Sequence, residues 1–247
     1  MKEKIKIQIK SIFGKLLFEW ESEDNTIKEA VEKAIKENAD LRSADLSYAD
    51  LSSANLSSAD LSYADLSSAN LSYADLSSAN LRSADLSYAD LSYADLSSAN
   101  LSYADLSSAN LSYADLRSAN LSYADLRSAD LSYANLRSAN LSYANLRSAN
   151  LRSANLSYAN LRSADLSYAD LSYAVNKELA YIPMFCKWNV SLLGEKIKIG
   201  CKEKSIEEWD IFFSGTDEFE TKRGTEQFKQ IEAMYLGYRA YLLHLQK

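Results

Sequence analysis

The chain has 247 residues, six glycines, one proline, a 47% hydrophobic content and a formal net charge of −7. Phosphate binding needs the opposite sign, so no direct nucleic-acid partner is expected. Cys186 and Cys201 are too few for a disulfide framework, and no apolar run approaches the roughly 18–20 residues that span a bilayer, so a reduced, cytosolic setting without membrane association is expected.

From the N-terminus, Met1 to Lys10 alternates charge with isoleucine and lacks the hydrophobic core of a signal peptide. Ile5, Ile7 and Ile9 alternate, Gly14 supplies a turn and Leu16 to Trp20 returns, which predicts a β-hairpin over 4–21. Asp24-Asn25-Thr26 can cap a helix carrying Ile27, Ala30, Val31, Ala34 and Ile35 on one face. This segment, 1–38, leads straight into a repeat and is expected to plug its exposed end.

From Ala39 to about Tyr173 the chain reads Ala-Asp/Asn-Leu-Ser/Arg-Ser/Tyr without a break, with leucine at every fifth position from 41 to 171, 27 pentads in all. A period of five fits neither the helix nor the strand repeat. Leucine and alanine are the only invariant apolar residues, so they form the buried pair. A few leucines cannot offset the entropy of ordering an isolated coil, and stability is therefore a property of the stack.

The motif A-(D/N)-L-x-x, matched by every pentad, resembles that of the pentapeptide-repeat family. The resemblance implies an all-β solenoid: a right-handed quadrilateral β-helix with four pentads per coil, leucine and alanine inward and the other three positions outward. Over residues 39–174 this makes about seven coils, a rod roughly 32 Å long at about 4.8 Å per coil.

If residues twenty apart stack, the surface columns can be read directly. Asp45, Asp65, Asp85, Asp105 and Asp125 share one column, and Asp75, Asp95 and Asp115 share the opposite one. Another becomes almost pure asparagine, Asn80 to Asn160. Tyr73, Tyr93, Tyr113 and Tyr133 form one tyrosine column, while Tyr63, Tyr103, Tyr123 and Tyr143 form its opposite. These sixteen Asp and Tyr residues are the candidate interaction surface. The competing reading makes Asp and Asn interchangeable turn formers, with tyrosines that merely stabilise the ladder. Arginine adds a gradient: pentads up to Asp130 carry thirteen Asp and four Arg, whereas later ones carry Asp165 and Asp170 with Arg137, Arg147, Arg152 and Arg162.

Val175 ends the repeat, and 175–247 is expected to form a C-terminal α+β or helical cap or interaction segment. Ile197 to Gly200 reads as a short strand, and Ser205-Ile-Glu-Glu208 as a capping box opening a helix through Trp209 and Phe213. An amphipathic helix is expected from about Thr225 to Leu245 through Phe228, Ile231, Tyr235, Tyr238, Leu242 and Leu245. This segment is similar to terminal segments of bacterial and phage pentapeptide-repeat proteins without assigned activity.

Nothing in the sequence assembles a catalytic centre. His244 stands alone, Cys186 and Cys201 lack further metal ligands, and the serines form a surface lattice without a base. No enzyme activity, cofactor or metal is expected. A scaffold for an unidentified protein partner is the leading reading. The alternative implied by the family resemblance is a DNA mimic that binds a type II topoisomerase, gyrase, through its acidic faces. Against that alternative, the central position is leucine throughout, where those relatives typically use some phenylalanine, and a different C-terminal segment occupies the end through which they dimerise.

Overall fold

The computed structural model describes residues 4–23, 25–175, 190–193, 196–199 and 202–215, together with 232 and 235. The chain divides into two compact units, 1–182 and 183–247.

In the first unit, β1 (Ile5–Lys10) pairs antiparallel with β2 (Leu16–Ser22), with Ile9 opposite Phe18 and Ile7 opposite Trp20. Gly14, at φ +80°, makes the turn where a side chain would be strained. Helix α1 (Ile27–Lys36) opens on a reciprocal cap: the Glu29 N–H donates to Thr26 Oγ1, and the Thr26 N–H donates to the Glu29 carboxylate. It closes with Asn38 at φ 56°, while the Ala39 N–H reaches the Ala34 carbonyl and the Asn38 N–H that of Ile35. That is a Schellman ending, and it delivers the chain directly into the first pentad. Ala30, Val31, Ala34 and Ile9 join one apolar cluster with the leucines and alanines of the repeat. Strand β1 also continues into the first coil: Ser11 bridges Ala44, the Asp45 N–H donates to the Lys10 carbonyl and the Ile12 N–H to that of Ser43.

From Asp45 onward, parallel bridges join residues twenty apart, Asp45 to Asp65, Asp50 to Asn70, and so on to Asn155 with Val175. Twenty residues, four pentads, complete each coil. Leu51 to Leu156 and the alanines between them lie in a continuous buried core. Three serines depart from the outward orientation expected for their position: Ser62, Ser102 and Ser157 are buried. Each stands twenty residues after an arginine (Arg42, Arg82 and Arg137).

The fate of the backbone N–H groups explains the pentad. In a coil such as 81–100, the leucine N–H donates to the Asp or Asn carbonyl of the following coil, and the fifth-position N–H to the following Ser or Arg carbonyl. The Asp or Asn N–H reaches back to an alanine carbonyl, and the alanine N–H closes a turn onto the leucine carbonyl three residues earlier. That leaves the N–H after leucine. It donates to Oδ1 of the Asp or Asn two residues earlier, as Ser87 does to Asp85 at 2.9 Å and Ser112 to Asn110 at 3.1 Å. Asp and Asn recur before every leucine because their short side chains satisfy the one amide that the coil cannot. Their negative charge is incidental to that task. Accordingly, Asp105→Asn is expected to leave stability unchanged or slightly raised, whereas Asp105→Ala strands the Ser107 amide and costs about 1–3 kcal/mol. Denaturant unfolding of the two variants measures the difference.

The third residue of each such turn, at the corner, has φ between 54° and 63°, from Ser43 to Tyr173. With the i to i+3 hydrogen bond this is the signature of a type II turn, a place usually taken by glycine or asparagine. Here serine and tyrosine occupy it at every corner, held by the stack on both sides.

The second unit contains a three-stranded antiparallel sheet, β3 (Val190–Leu193), β4 (Lys196–Ile199) and β5 (Lys202–Lys204), followed by α2 (Ile206–Ser214). The strand expected near Ile197 is β4. Ser205 caps α2 reciprocally with Glu208. Trp209 and Phe212 meet edge to face at 5.5 Å, and the buried Tyr235 stacks on Phe213 and bonds through its hydroxyl to the Ile206 carbonyl and to Asp210 Oδ1. The helix expected over 225–245 lies outside the described residues except at Glu232 and Tyr235, both helical, as do His244, Cys186 and Cys201.

Candidate functional site on the tyrosine and aspartate columns

The coil length decides which candidate side chains meet. Tyr73, Tyr93, Tyr113 and Tyr133 form an unbroken ladder, with neighbouring ring centroids 4.8 Å apart and planes within 3°. Tyr103, Tyr123 and Tyr143 form a second, at 4.8–4.9 Å. Tyr63 is separated from that ladder by the coil carrying Ser83. Each stacked pair contributes about 0.5–1.5 kcal/mol beyond area burial. All eight rings are exposed, from 43% at Tyr143 to 62% at Tyr73.

Bridges join Asp45, Asp65, Asp85, Asp105 and Asp125 in one unbroken row, and Asp75, Asp95 and Asp115 in another. In both rows the carboxylates bind their own turns, and several also accept a serine hydroxyl, as Asp65 does from Ser67 and Asp85 from Ser87 at 2.6 Å. These bonds give the carboxylate oxygens local donors and so offset part of the repulsion within a row. In the asparagine column the amide passes its spare donor to the preceding coil: Asn100 Nδ2 reaches Asn80 Oδ1 at 3.2 Å, and Asn140 reaches Asn120 at 3.2 Å.

Arginines behave in two ways that the sequence reading missed. After an aspartate, the guanidinium folds back onto it. Arg117 Nε lies 2.7 Å from Asp115 Oδ2, and Arg127 does the same to Asp125 at 2.8 Å. The Asp125 carboxyl is partly desolvated, which alone would raise its pKa, yet the Arg127 hydrogen bonds bring it below the ordinary value. At the start of the repeat, Arg42 holds Asp40 down to about 2. After an asparagine, four guanidinium groups extend instead over a tyrosine of the next coil. Arg82 lies 5.2 Å from the Tyr103 ring centroid, Arg137 5.6 Å from Tyr158, Arg147 5.3 Å from Tyr168 and Arg152 5.4 Å from Tyr173. Each arginine precedes its tyrosine by 21 residues, a spacing plainly present in the sequence.

Among the described residues no group of three or more His, Cys, Asp or Glu side chains could hold a metal ion. No described helix is long and apolar enough to cross a membrane.

Stacked four-sided coils with an inward leucine and a turn-closing Asp or Asn define a solenoid repeat protein. The sequence profile of pentapeptide repeats matches eight copies over 37–72, 64–102, 74–112, 109–147 and 144–174, more than half of the chain. The chain belongs to the pentapeptide-repeat family, and its repeat is that family's right-handed quadrilateral β-helix. Among solved structures it is similar to HetL, a pentapeptide repeat protein involved in heterocyst differentiation regulation from the cyanobacterium Nostoc sp. strain PCC 7120. The identity is 36%, over 57% of this chain and 78% of that one, with a TM-score of 0.30. A pentapeptide repeat protein from the Arabidopsis thaliana thylakoid lumen shares 34% identity over 38% of this chain and 65% of that one, with a TM-score of 0.37. Full-length QnrB1, a plasmid-mediated fluoroquinolone resistance protein, shares 18% over 53% and 80%, with a TM-score of 0.30. All three TM-scores lie below 0.5, and the family assignment rests on the sequence profile. No curated protein matches the chain.

Proposed function

We propose that the chain is a non-enzymatic, cytosolic scaffold whose β-helix presents exposed tyrosine ladders beside aspartate rows to a protein partner. The observation that carries this reading is the pair of ladders. Rings held parallel at fixed spacing offer aromatic area already ordered before binding, which reduces the entropic cost of association. In this reading 1–38 closes the N-terminal end of about seven coils spanning 39–174. The hydrogen bonds from Asp45 to Lys10 and from Asn55 to Glu32 support that role. The segment 175–247 is a separate interaction or capping element.

Affinity capture with the full chain, beside a variant in which Tyr73, Tyr93, Tyr113 and Tyr133 are all serine, tests the proposal. Serine occupies the same corner in many pentads, so the variant keeps the fold. A partner held by the native chain and lost by the variant is the expected result. A partner held equally by both removes the ladder from the function.

The acidic rows favour one second reading, a DNA mimic that engages gyrase. Local bonding of the row carboxylates and the Arg117 and Arg127 pairs weigh against it. Inhibition of gyrase supercoiling by micromolar protein would restore it, and no inhibition would remove it.

A further inference from the structure

Three tyrosine columns contain a pair forty residues apart with a serine in the coil between: Tyr63-Ser83-Tyr103, Tyr133-Ser153-Tyr173 and Tyr48-Ser68-Tyr88. Each serine omits one ring from a ladder that repeats every coil, so each leaves a slot with the bordering ring positions about 10 Å apart. The first two slots are filled from within the chain. Arg82 lies over Tyr103, and Arg152 over Tyr173.

In the third slot the corresponding position is Ser67, whose hydroxyl turns away to Asp65. Tyr48 and Tyr88 are 80% and 69% exposed, and among the described residues neither makes a ring or cation contact. Carboxylates border the gap on both sides, with Asp45, Asp65 and Asp85 in one row and Asp50 and Asp90 flanking Asn70 in the other. Serine, not arginine, follows each of these aspartates by two residues, so none receives the guanidinium that neutralises Asp115 and Asp125. Lys28, at the adjoining corner, donates to the Ser52 carbonyl at 2.9 Å, and its charge also acts on Asp50, but among the described residues it makes no hydrogen bond to a bordering carboxylate.

We propose that the Ser68 slot receives the guanidinium of an arginine on a partner protein, sandwiched between Tyr48 and Tyr88 and neutralised by the bordering aspartates. The inference rests on the scaffold reading and deepens it by naming the partner's chemistry. Arginine fits where lysine does not. A planar cation meets two parallel ring faces at once and keeps its edge free for carboxylates, whereas an ammonium is compact and more strongly hydrated. The same chain supplies a precedent for one such face twice, with Arg82 over Tyr103 and Arg152 over Tyr173.

The test titrates an eight-residue arginine peptide and its lysine counterpart into the full chain by calorimetry, beside a Tyr48→Ser/Tyr88→Ser variant. Serine already stands at this corner with the same backbone at Ser68 and Ser108, φ 58° and 59°, so the fold is retained. The arginine peptide is expected to lose about tenfold in affinity on loss of the tyrosines, within the range of a desolvated cation–π contact. The lysine peptide is expected to bind both proteins alike. A second variant, Asp65→Asn with Ser67→Arg, reproduces the Asn-Leu-Arg run before the filled slots and is expected to abolish the arginine preference. Arginine-peptide affinity that ignores the tyrosines, or equal losses for the two peptides, overturns the slot and leaves only attraction to an acidic rod. If the slot fails while the Tyr73–Tyr133 ladder still governs capture of a partner, the scaffold reading stands without it.

Discussion

Leu101→Ala is expected to destabilise the protein by about 2–5 kcal/mol, read from the midpoint of denaturant unfolding. Leu101 is fully buried at mid-rod, with leucine and alanine as the inward residues of its own and adjacent coils. The coils are locked together by backbone bonds at almost every residue, so the walls of the new cavity have little freedom to close. Leu171, in the last coil and only half-buried, provides the control. Leu171→Ala is expected to cost less than half as much. Equal losses at both sites would mean that the stack does not pack as one core, and that the graded burial along it has no energetic counterpart.

The second large effect concerns register. Removing residues 81–100 brings Tyr73 over Tyr113 and Asn80 over Asn120, so every column continues through the junction. The expected product is a folded rod shorter by about 4.8 Å, with a nearly unchanged midpoint. Removing only 81–85 keeps leucine and alanine in frame but turns everything beyond the junction by one side. Tyr73 then faces Ser98 and loses its stack on Tyr93, and the Asn100 to Asn80 bond is lost. Stacking and amide contributions together put the cost at about 1–3 kcal/mol. Thermal melts with scattering measurements of length separate the two deletions, and indistinguishable melts would contradict a surface held in register by its own side chains.

Much of this architecture is legible in the residues because the repeat carries a single message everywhere. Leucine and alanine at fixed spacing identify the core, and alignment at twenty residues yields the columns that become bridges. The hairpin, α1, β4 and the capped α2 are likewise written in local signals, alternation in one case and Thr26 and Ser205 three residues before a glutamate in the others. What escaped the reading is what the neighbouring coil imposes. Tyrosine and serine carry no preference for positive φ, so nothing in a pentad alone announces a left-handed corner. The outward fourth position conceals that Ser62, Ser102 and Ser157 are buried, each one coil after an arginine. The two habits of arginine could have been found, since Asp or Asn two residues before it, and tyrosine 21 residues after it, are plain in the sequence. Seeing them required asking which residues meet across coils and not merely which residues stack.

The coil-to-coil hydrogen bonds run along the rod axis, and this has a mechanical consequence. A force drawing the two ends of the repeat apart loads the interfaces in turn, because each inner coil is bonded on both of its sides. The rod should therefore yield as a zipper and not as a block that shears. Each event would release twenty residues, about 70 Å of extended chain, at similar force, because successive coils are chemically near-identical. A molecule built this way would serve poorly as a cable and well as a spacer loaded in compression, where the same bonds close instead of opening.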